Sequence, residues 1–244
     1  MSSLVPGAGS PHDGRRHAIL AIDTATTQLV VASGSRDGQI DGITTWAAGY
    51  RHGETLLSAI VHFLSEQNLR RSRLVGIVVG TGPGAFTGLR VGIATAKGLA
   101  HGLGLPIAGV STGEAILAAA AAEAAASGVT APGRPVLLLP AGPSDRVIVR
   151  SGAAPALLPG GIDPDMAPGE WLLAIDLDGR APAAAVSRGA RARLGMPGAL
   201  IRMGAERLRA GPGDDLGSLV PEYVTLPRGA ASQLGEVAWS RDPR

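Results

Sequence analysis

Two short stretches of the chain carry residue types that could hold phosphate. Residues 80–84 read Gly-Thr-Gly-Pro-Gly and separate an apolar run from a predicted helix. Glycine backbone and the free N–H groups of a helix start suit an anion at the carboxyl end of a strand. Asp23 closes the first predicted strand and is followed by a Thr-Ala-Thr-Thr turn. A carboxylate beside such a hydroxyl-rich turn could meet the phosphates and the metal of a nucleotide.

The glycine spacing matches neither standard phosphate fingerprint. The stretch lacks the Gly-Lys-Ser/Thr ending of a P-loop, and a dinucleotide motif would need glycine at Pro83, Ala85 or Thr87. The glycines could instead serve turn geometry and close packing, and Asp23 could simply cap its turn. We therefore expect no firmly bound cofactor and leave residual ATP or ADP binding open. The candidate residues for it are Asp23, Thr24, Gly82 and Gly84.

No group of residues predicts catalysis or a metal site. The chain has no cysteine, which excludes thiolate nucleophiles and Cys-based zinc sites. His52 and His62 are ten residues apart and would point to different sides of a helix. Asp176 and Asp178 are general-base candidates by composition, but strand-end turn residues are the simpler interpretation. We predict no catalytic residue and no metal ligand.

The hydrophobic pattern predicts an α/β protein. In the first half it predicts a hairpin at 17–34, a strand at 39–46, a helix at 54–69, a strand at 74–80, a helix at 87–103 and a strand at 105–111. In the second half it predicts a helix at 114–127, a hairpin through 136–152, a strand at 170–179 and a helix at 197–211. The segments 152–169 and 180–198 are rich in Ala, Gly and Pro and are predicted to be loops.

Two of the predicted helices present a candidate docking face. The helix at 54–69 carries an apolar stripe that includes Ile60. The helix at 87–103 places two glycines, four residues apart, on one face, so another backbone could come unusually near, either within the chain or from a partner. The predicted interface residues are Leu57, Val61, Leu64, Gly88, Gly92, Thr95 and Leu99.

Length and charge bound the remaining possibilities. The 244 residues suffice for one large domain or for two small lobes around a cleft. The net charge of +2, without a dense basic run, permits an anionic partner but does not require one. The sequence contains no uninterrupted run of about 18 apolar residues, so it predicts no membrane span. We expect a cytoplasmic protein. We predict tails at 1–16 (disordered) and 228–244 (flexible), a first lobe at 17–111 and a second lobe at 112–227.

Four motifs, in this order and at these separations, resemble the bacterial TsaB (YeaZ) family. They are "ILAIDTATTQLVVAS", "YRHGETLLSAI", "VVGTGPGAFTGLRVGIATAKGLA" and "LPIAGVST", and they fall between about 18 and 112. The resemblance implies the two-lobed actin-like ATPase (ASKHA) fold of the actin/hexokinase/Hsp70 superfamily, in which each lobe is a mixed β-sheet with helices packed on it. It also implies a subunit of the machinery that makes N6-threonylcarbamoyladenosine (t6A) at position 37 of tRNAs.

The same resemblance implies partners and a missing metal site. The partners are a TsaD-like catalytic subunit and a TsaE-like ATPase, with only indirect tRNA contact; alone, the chain could form a homodimer. In TsaD a strand like "LPIAGV" leads into a His-x-x-x-His metal motif, and the corresponding residues here are Thr112 and Ile116. Neither side chain can replace an imidazole ligand. We therefore expect a non-catalytic scaffold subunit.

The second half departs from the family pattern, and two rival functions stay open. Pro140 and Gly142 stand where the family has Asp and Arg, and Thr225 replaces an Arg. One rival is a small ATP-dependent kinase or phosphotransferase of the same superfamily that uses Asp23 and the loop at 80–84. The other is a peptidase, but neither a nucleophile elbow nor an HExxH motif supports it.

Overall fold

The computed structural model describes residues 17–47, 52–127 and 133–224, which build two β-sheets and four α-helices. The predicted tails at 1–16 and 228–244 lie outside the described residues. The α/β fold class is confirmed. None of the helices in the described ranges is long and apolar enough to cross a membrane.

The first sheet has five strands in the order β3-β2-β1-β4-β5. Its strands are β1 (Ala18–Asp23), β2 (Gln28–Gly34), β3 (Ile40–Ala47), β4 (Leu74–Gly80) and β5 (Ile107–Val110). The hairpin β1–β2 and the pair β2–β3 are antiparallel, whereas β4 and β5 run parallel to β1. The carboxyl ends of β1, β4 and β5 therefore meet at one edge, which is where Asp23 and the glycine loop lie.

The second sheet repeats this pattern with one strand fewer. It contains β6 (Arg134–Ala141), β7 (Asp145–Arg150), β8 (Ala156–Leu158) and β9 (Glu170–Ala174), in the order β8-β7-β6-β9. The pairs β6–β7 and β7–β8 are antiparallel, and β9 is parallel to β6. The order and directions match those of β3-β2-β1-β4, as two related lobes would show. Strand β8 lies in the segment 152–169, which the sequence predicted to be a loop.

The helices form layers on both faces of the first sheet. Helices α1 (His52–Glu66) and α2 (Phe86–Leu103) pack on its outer face, while α3 (Thr112–Ala126) and α4 (Ala183–Ala210) fill the space between the two sheets. A short 3-10 helix, Arg71–Arg73, precedes β4. The inner core joins sheet residues such as Ile19 and Leu137 to Leu200 of α4, all with at most 1% of their surface exposed.

Helix α4 is much longer than predicted and belongs to both lobes. It begins at Ala183 rather than near 197, so the loop predicted at 180–198 is wrong, and Pro197 lies inside the helix. Its first half packs on β9, where a Cβ at Gly189 would overlap the carbonyl oxygen of Ala174. Its second half packs on β4, where a Cβ at Gly204 would overlap Val78. A rod of 28 residues, about 42 Å long, therefore spans the two sheets.

Candidate functional site

Asp23 lies at the carboxyl end of β1 with none of its surface exposed. Its Oδ2 accepts a hydrogen bond of 2.5 Å from the Thr112 hydroxyl, and its Oδ1 accepts one of 3.0 Å from the Ala25 amide. The Thr112 oxygen in turn accepts from the amide of Gly82 at 3.2 Å. The Asp23 carboxyl thus joins its own turn, the start of α3 and, through Thr112, the glycine loop.

Burial dominates the electrostatics of this carboxyl group. Loss of solvent raises the pKa of Asp23 to about 6, although the hydrogen bonds from Thr112 and Ala25 and the charge of Arg193 act in the opposite direction. Such a group changes its charge near neutral pH, yet it has no open surface through which a substrate could reach it. Asp23 therefore cannot contact a ligand in this arrangement.

The glycine loop is filled by the chain itself. A Cβ at Gly80 would overlap the Asp23 carboxylate, and a Cβ at Gly84 would overlap the carbonyl oxygen of Ala25. The Ala85 amide also donates to that carbonyl oxygen at 2.7 Å. Gly82 has φ +106, a backbone conformation that favours glycine. The loop glycines therefore serve turn geometry and close packing against the β1–β2 turn.

Gly88 and Gly92 make the same kind of contact from α2. Both glycines are buried, and a Cβ at either would overlap Thr24, whose hydroxyl donates to the Gly88 carbonyl oxygen at 2.8 Å. The close approach predicted from their spacing exists, but the approaching backbone is the chain's own turn. Gly88 and Gly92 are therefore wrong as partner-interface residues, because Thr24 already covers that face. Thr24 is likewise enclosed, with none of its surface exposed.

A cleft of about 550 Å³ lies between the two lobes beside this closed site. The β1–β2 turn, the start of α2 and the β6–β7 turn line it. No side chain caps the N-terminus of α2, and Arg180 also lines the cleft. Of the four predicted nucleotide contacts, only Gly84 lines this cleft; Asp23, Thr24 and Gly82 do not.

Asp176 connects the two lobes at this cleft. It follows β9, and its carboxylate accepts from the Thr27 amide at 2.8 Å and from the Thr27 hydroxyl at 2.7 Å. Arg193 of α4 donates to the same carboxylate at 2.5 Å. Burial alone would raise the pKa of Asp176, but the hydrogen bonds and charge of Arg193, with the bonds from Thr27, hold it below the usual value.

Thr112 and Ile116, which the resemblance assigned to the positions of a metal motif, are both buried. Thr112 is fully buried against Asp23, and Ile116, 1% exposed, belongs to the core between the sheets. Within the described ranges, no group of three His, Asp or Glu side chains is placed to hold a metal ion.

The remaining interface candidates divide between surface and core. On α1, Leu57 and Val61 are 59% and 68% exposed and lie one helical turn apart. Leu64 and Leu99 pack at the margin of the outer core, and Thr95 on α2 is partly exposed. The buried stripe of α1 overlaps the predicted apolar stripe at Ile60. Its other members are Leu56, Ala59 and Phe63.

The segment that follows α4 covers the end of the first sheet. The Asp214 amide donates to the Ile107 carbonyl oxygen, and its carboxylate accepts from the Gly109 amide, both at 2.7 Å. Further on, the Glu222 amide donates to the Thr81 carbonyl oxygen at 2.7 Å. Burial raises the pKa of Glu222, which accepts from Ser111. We call residues 211–224 the strap, because they cover the edge strand β5.

The family model that matches this chain is "TsaD: tRNA N6-adenosine threonylcarbamoyltransferase", and it matches residues 19–163, more than half of the chain. The chain belongs to the TsaD family. This match and the solved structure described below confirm the predicted actin-like two-lobed fold.

Individual relatives confirm the resemblance to TsaB. The tRNA threonylcarbamoyladenosine biosynthesis protein TsaB of Escherichia coli is 38% identical over 94 residues, which are 38% of this chain and 40% of the relative. An uncharacterised Mycobacterium leprae protein is 40% identical over 103 residues, 40% of this chain and 28% of that protein. The chain thus spans less than half the length of these curated relatives. YeaZ from Pseudomonas aeruginosa superposes with a TM-score of 0.63 at 23% identity, covering 85% of this chain and 99% of that one.

Sequence reasoning missed the residues that close the site. The sequence marks Thr112 only as a residue that cannot replace a metal ligand, whereas the structure shows it as the hydrogen-bond partner of Asp23. The sequence makes Asp176 a general-base candidate by composition and a turn residue by the simpler interpretation, and it places Arg193 in a segment predicted to be a loop. One signal was available: "AID" occurs at 21–23 and again at 174–176, so each of these carboxylates follows a buried apolar run.

Proposed function

We propose that this protein is a non-catalytic subunit that pairs with a TsaD-like catalytic subunit in t6A formation at position 37 of tRNAs. The observation that carries the proposal is the closure of Asp23 by Thr112, in a site with no surface open to substrate. Ile116 fills the core at the second position of the metal motif. Transfer of the threonylcarbamoyl group would then belong to the partner, which acts in the cytoplasm with a TsaE-like ATPase.

The docking face of this proposal is centred on α1. Leu57 and Val61 are large apolar side chains that lie side by side in solvent, and such adjacent exposed groups are typical of interaction sites. The proposed face also includes Leu99 and Thr95, which are partly exposed on the neighbouring α2. A related lobe of the partner could pack here, and in its absence a second copy of this chain could occupy the same face as a homodimer. Contact with tRNA would be made through the partner.

A reconstituted reaction tests the proposal. The full chain is mixed with a purified TsaD-like subunit, a TsaE-like ATPase, threonylcarbamoyl-adenylate and unmodified tRNA, and t6A is measured by mass spectrometry of the digested tRNA. We expect no t6A from this chain alone, a stable pair with the TsaD-like subunit on gel filtration, and t6A only when both are present. Modification by this chain alone, or no pairing at micromolar concentration, would refute the proposal. ATP turnover by the chain alone at the rate of an ordinary kinase, about 1 to 100 per second, would favour the kinase alternative.

A further inference from the structure

The Thr27 turn already has an anion bound to it, and that anion belongs to the protein. The amide and the hydroxyl of Thr27 both donate to the Asp176 carboxylate, and the guanidinium of Arg193 approaches the same carboxylate from α4. These three donors come from two lobes and are separated by up to 166 residues of sequence. They converge as donors around a bound oxyanion would.

We infer that Asp176 is an internal oxyanion that occupies the phosphate position of the hydroxyl-rich turn and thereby latches the two lobes together without a nucleotide. The side chains of Asp176 and Arg193 are only 12% and 19% exposed, so the pair is largely withdrawn from water. A free phosphate would have to displace a tethered carboxylate that is already aligned. The cleft beside it would consequently bind phosphate groups poorly.

Backbone geometry shows how the side chain is presented. Asp176 has φ +57, a left-handed conformation that Asp, Asn and Gly adopt more readily than other residues. This permits two informative substitutions that keep the turn. Asp176→Gly removes the carboxylate and leaves room between the three donors, whereas Asp176→Asn keeps the shape and one acceptor oxygen but removes the charge.

Chemical rescue tests the latch. We expect Asp176→Gly to lower the melting temperature by roughly 5 to 10 °C, because Arg193 loses the carboxylate that balances its charge. Formate or inorganic phosphate should bind in the vacated position and restore much of the lost melting temperature. The restoring effect should level off as the anion concentration rises. The matched control is Asp178→Ala, an exposed aspartate in the same turn, which should change the melting temperature by no more than about 2 °C and show no rescue.

Wild-type protein provides the second comparison. Because its oxyanion position is occupied, formate, phosphate and pyrophosphate should raise its melting temperature no more than they raise that of the control. The inference is overturned if Asp176→Gly is as stable as wild type, if neither anion rescues it, or if wild type gains as much from the anions as the glycine variant does.

If Asp176→Gly fails to fold, a double-mutant cycle tests whether Thr27 and Asp176 are energetically coupled. Asp176→Asn and Thr27→Val are milder changes, made singly and together in the full chain. Coupling between them means that the loss in the double variant differs from the sum of the single losses. Simple additivity would show that Thr27 and Asp176 do not act as one unit, and the latch would be refuted.

The latch also reaches the helix next to the proposed docking face. Thr24 in the same turn donates to Gly88 of α2, and Ala25 of that turn accepts from the amide of Ala85 at the start of α2, so a shift of the turn would be transmitted to α2. We expect Asp176→Asn to weaken pairing with a TsaD-like subunit without touching the exposed face of α1. This last step rests on the proposed function, whereas the rescue and the double-mutant cycle are measured on the chain alone.

Discussion

Thr112 donates a 2.5 Å hydrogen bond to Asp23, although the two residues are 89 positions apart in the chain. The bond joins the carboxyl end of β1 to the first turn of α3, at the edge where β1, β4 and β5 end. The Asp23 carboxyl group is therefore hydrogen-bonded and has none of its surface in contact with solvent.

The burial of Asp23 predicts an unusual dependence of stability on pH. Its folded-state pKa of about 6 exceeds the ordinary 3.8, so between these values the folded protein binds a proton more readily than the unfolded chain does. Stability should therefore fall as pH rises from about 4 to about 6, by roughly 3 kcal/mol at most. Asp23→Asn removes this titration, and urea unfolding of both proteins at several pH values measures the difference.

The comparison with Asp23→Asn is needed because other carboxyl groups also titrate. Burial raises the pKa of Glu222, so this group acts in the same direction as Asp23. The pKa of Asp176 is lowered, so its contribution to stability is lost only as pH falls below the ordinary range. The difference in unfolding free energy between wild type and Asp23→Asn at each pH therefore reports the contribution of Asp23 alone. A difference in unfolding free energy that stays constant from pH 4 to pH 7 would contradict the assigned cause.

Gly92 and Gly98 on α2 should respond in opposite ways to alanine. At Gly92 the new Cβ would overlap the Thr24 hydroxyl, so we expect a loss of roughly 1 to 3 kcal/mol in the free energy of unfolding. At Gly98 nothing lies within 4 Å of the added Cβ, and alanine should stabilise the helix by about 0.5 to 1 kcal/mol. Chemical denaturation measures both. Equal changes in unfolding free energy for the two substitutions would contradict the contact between Gly92 and Thr24.

The pattern of hydrophobic residues located most elements of the first lobe because their periodicity is local. The strand predicted at 74–80 is β4, Leu74–Gly80, without a shift. The first half of α4 could not be predicted in the same way, since Gly189 and Pro197 are helix breakers by propensity. Burial between the two sheets overrides that propensity, and such packing is invisible in a single local window.

The same limit applies to the site. The sequence indicated that Asp23 ends a strand and that Gly88 and Gly92 allow a close approach. It could not indicate that Thr112 would bond to Asp23 or that Thr24 would pack on the two glycines, because these contacts join segments that are 64 to 89 residues apart. Local spacing predicts that a backbone can approach, and only the fold shows which backbone does.

The exposed pair on α1 predicts a loss of pairing when a charge is introduced. Val61→Asp places a carboxylate where an apolar contact is proposed, and we expect affinity for a TsaD-like subunit to fall by roughly 30-fold or more. Leu194→Asp is the matched control, because Leu194 on α4 is 73% exposed and lies outside that face. Both variants should keep the wild-type melting temperature within a few degrees. Equal binding by the two variants, measured by calorimetry, would remove α1 from the interface.

The strap should be necessary for the stability of the first sheet. Asp214 uses one carboxylate oxygen for the Gly109 amide on β5 and the other for Arg207, at 2.7 and 2.6 Å. Asp214→Ala deprives the partly buried Gly109 amide of its acceptor, and we expect a loss of roughly 1 to 3 kcal/mol in the free energy of unfolding. Asp214→Asn keeps an acceptor oxygen and should lose less.

Hydrogen exchange locates the effect of the strap substitution. If Asp214 holds the edge, the Gly109 amide in Asp214→Ala should exchange faster relative to wild type than amides at the centre of β1, such as that of Ala21. A uniform acceleration of both amides would mean that the substitution weakens the whole lobe without acting at the edge. Wild-type stability of Asp214→Ala would show that the carboxylate is dispensable at β5, so the backbone bond from Asp214 to Ile107 would hold the strap there without it.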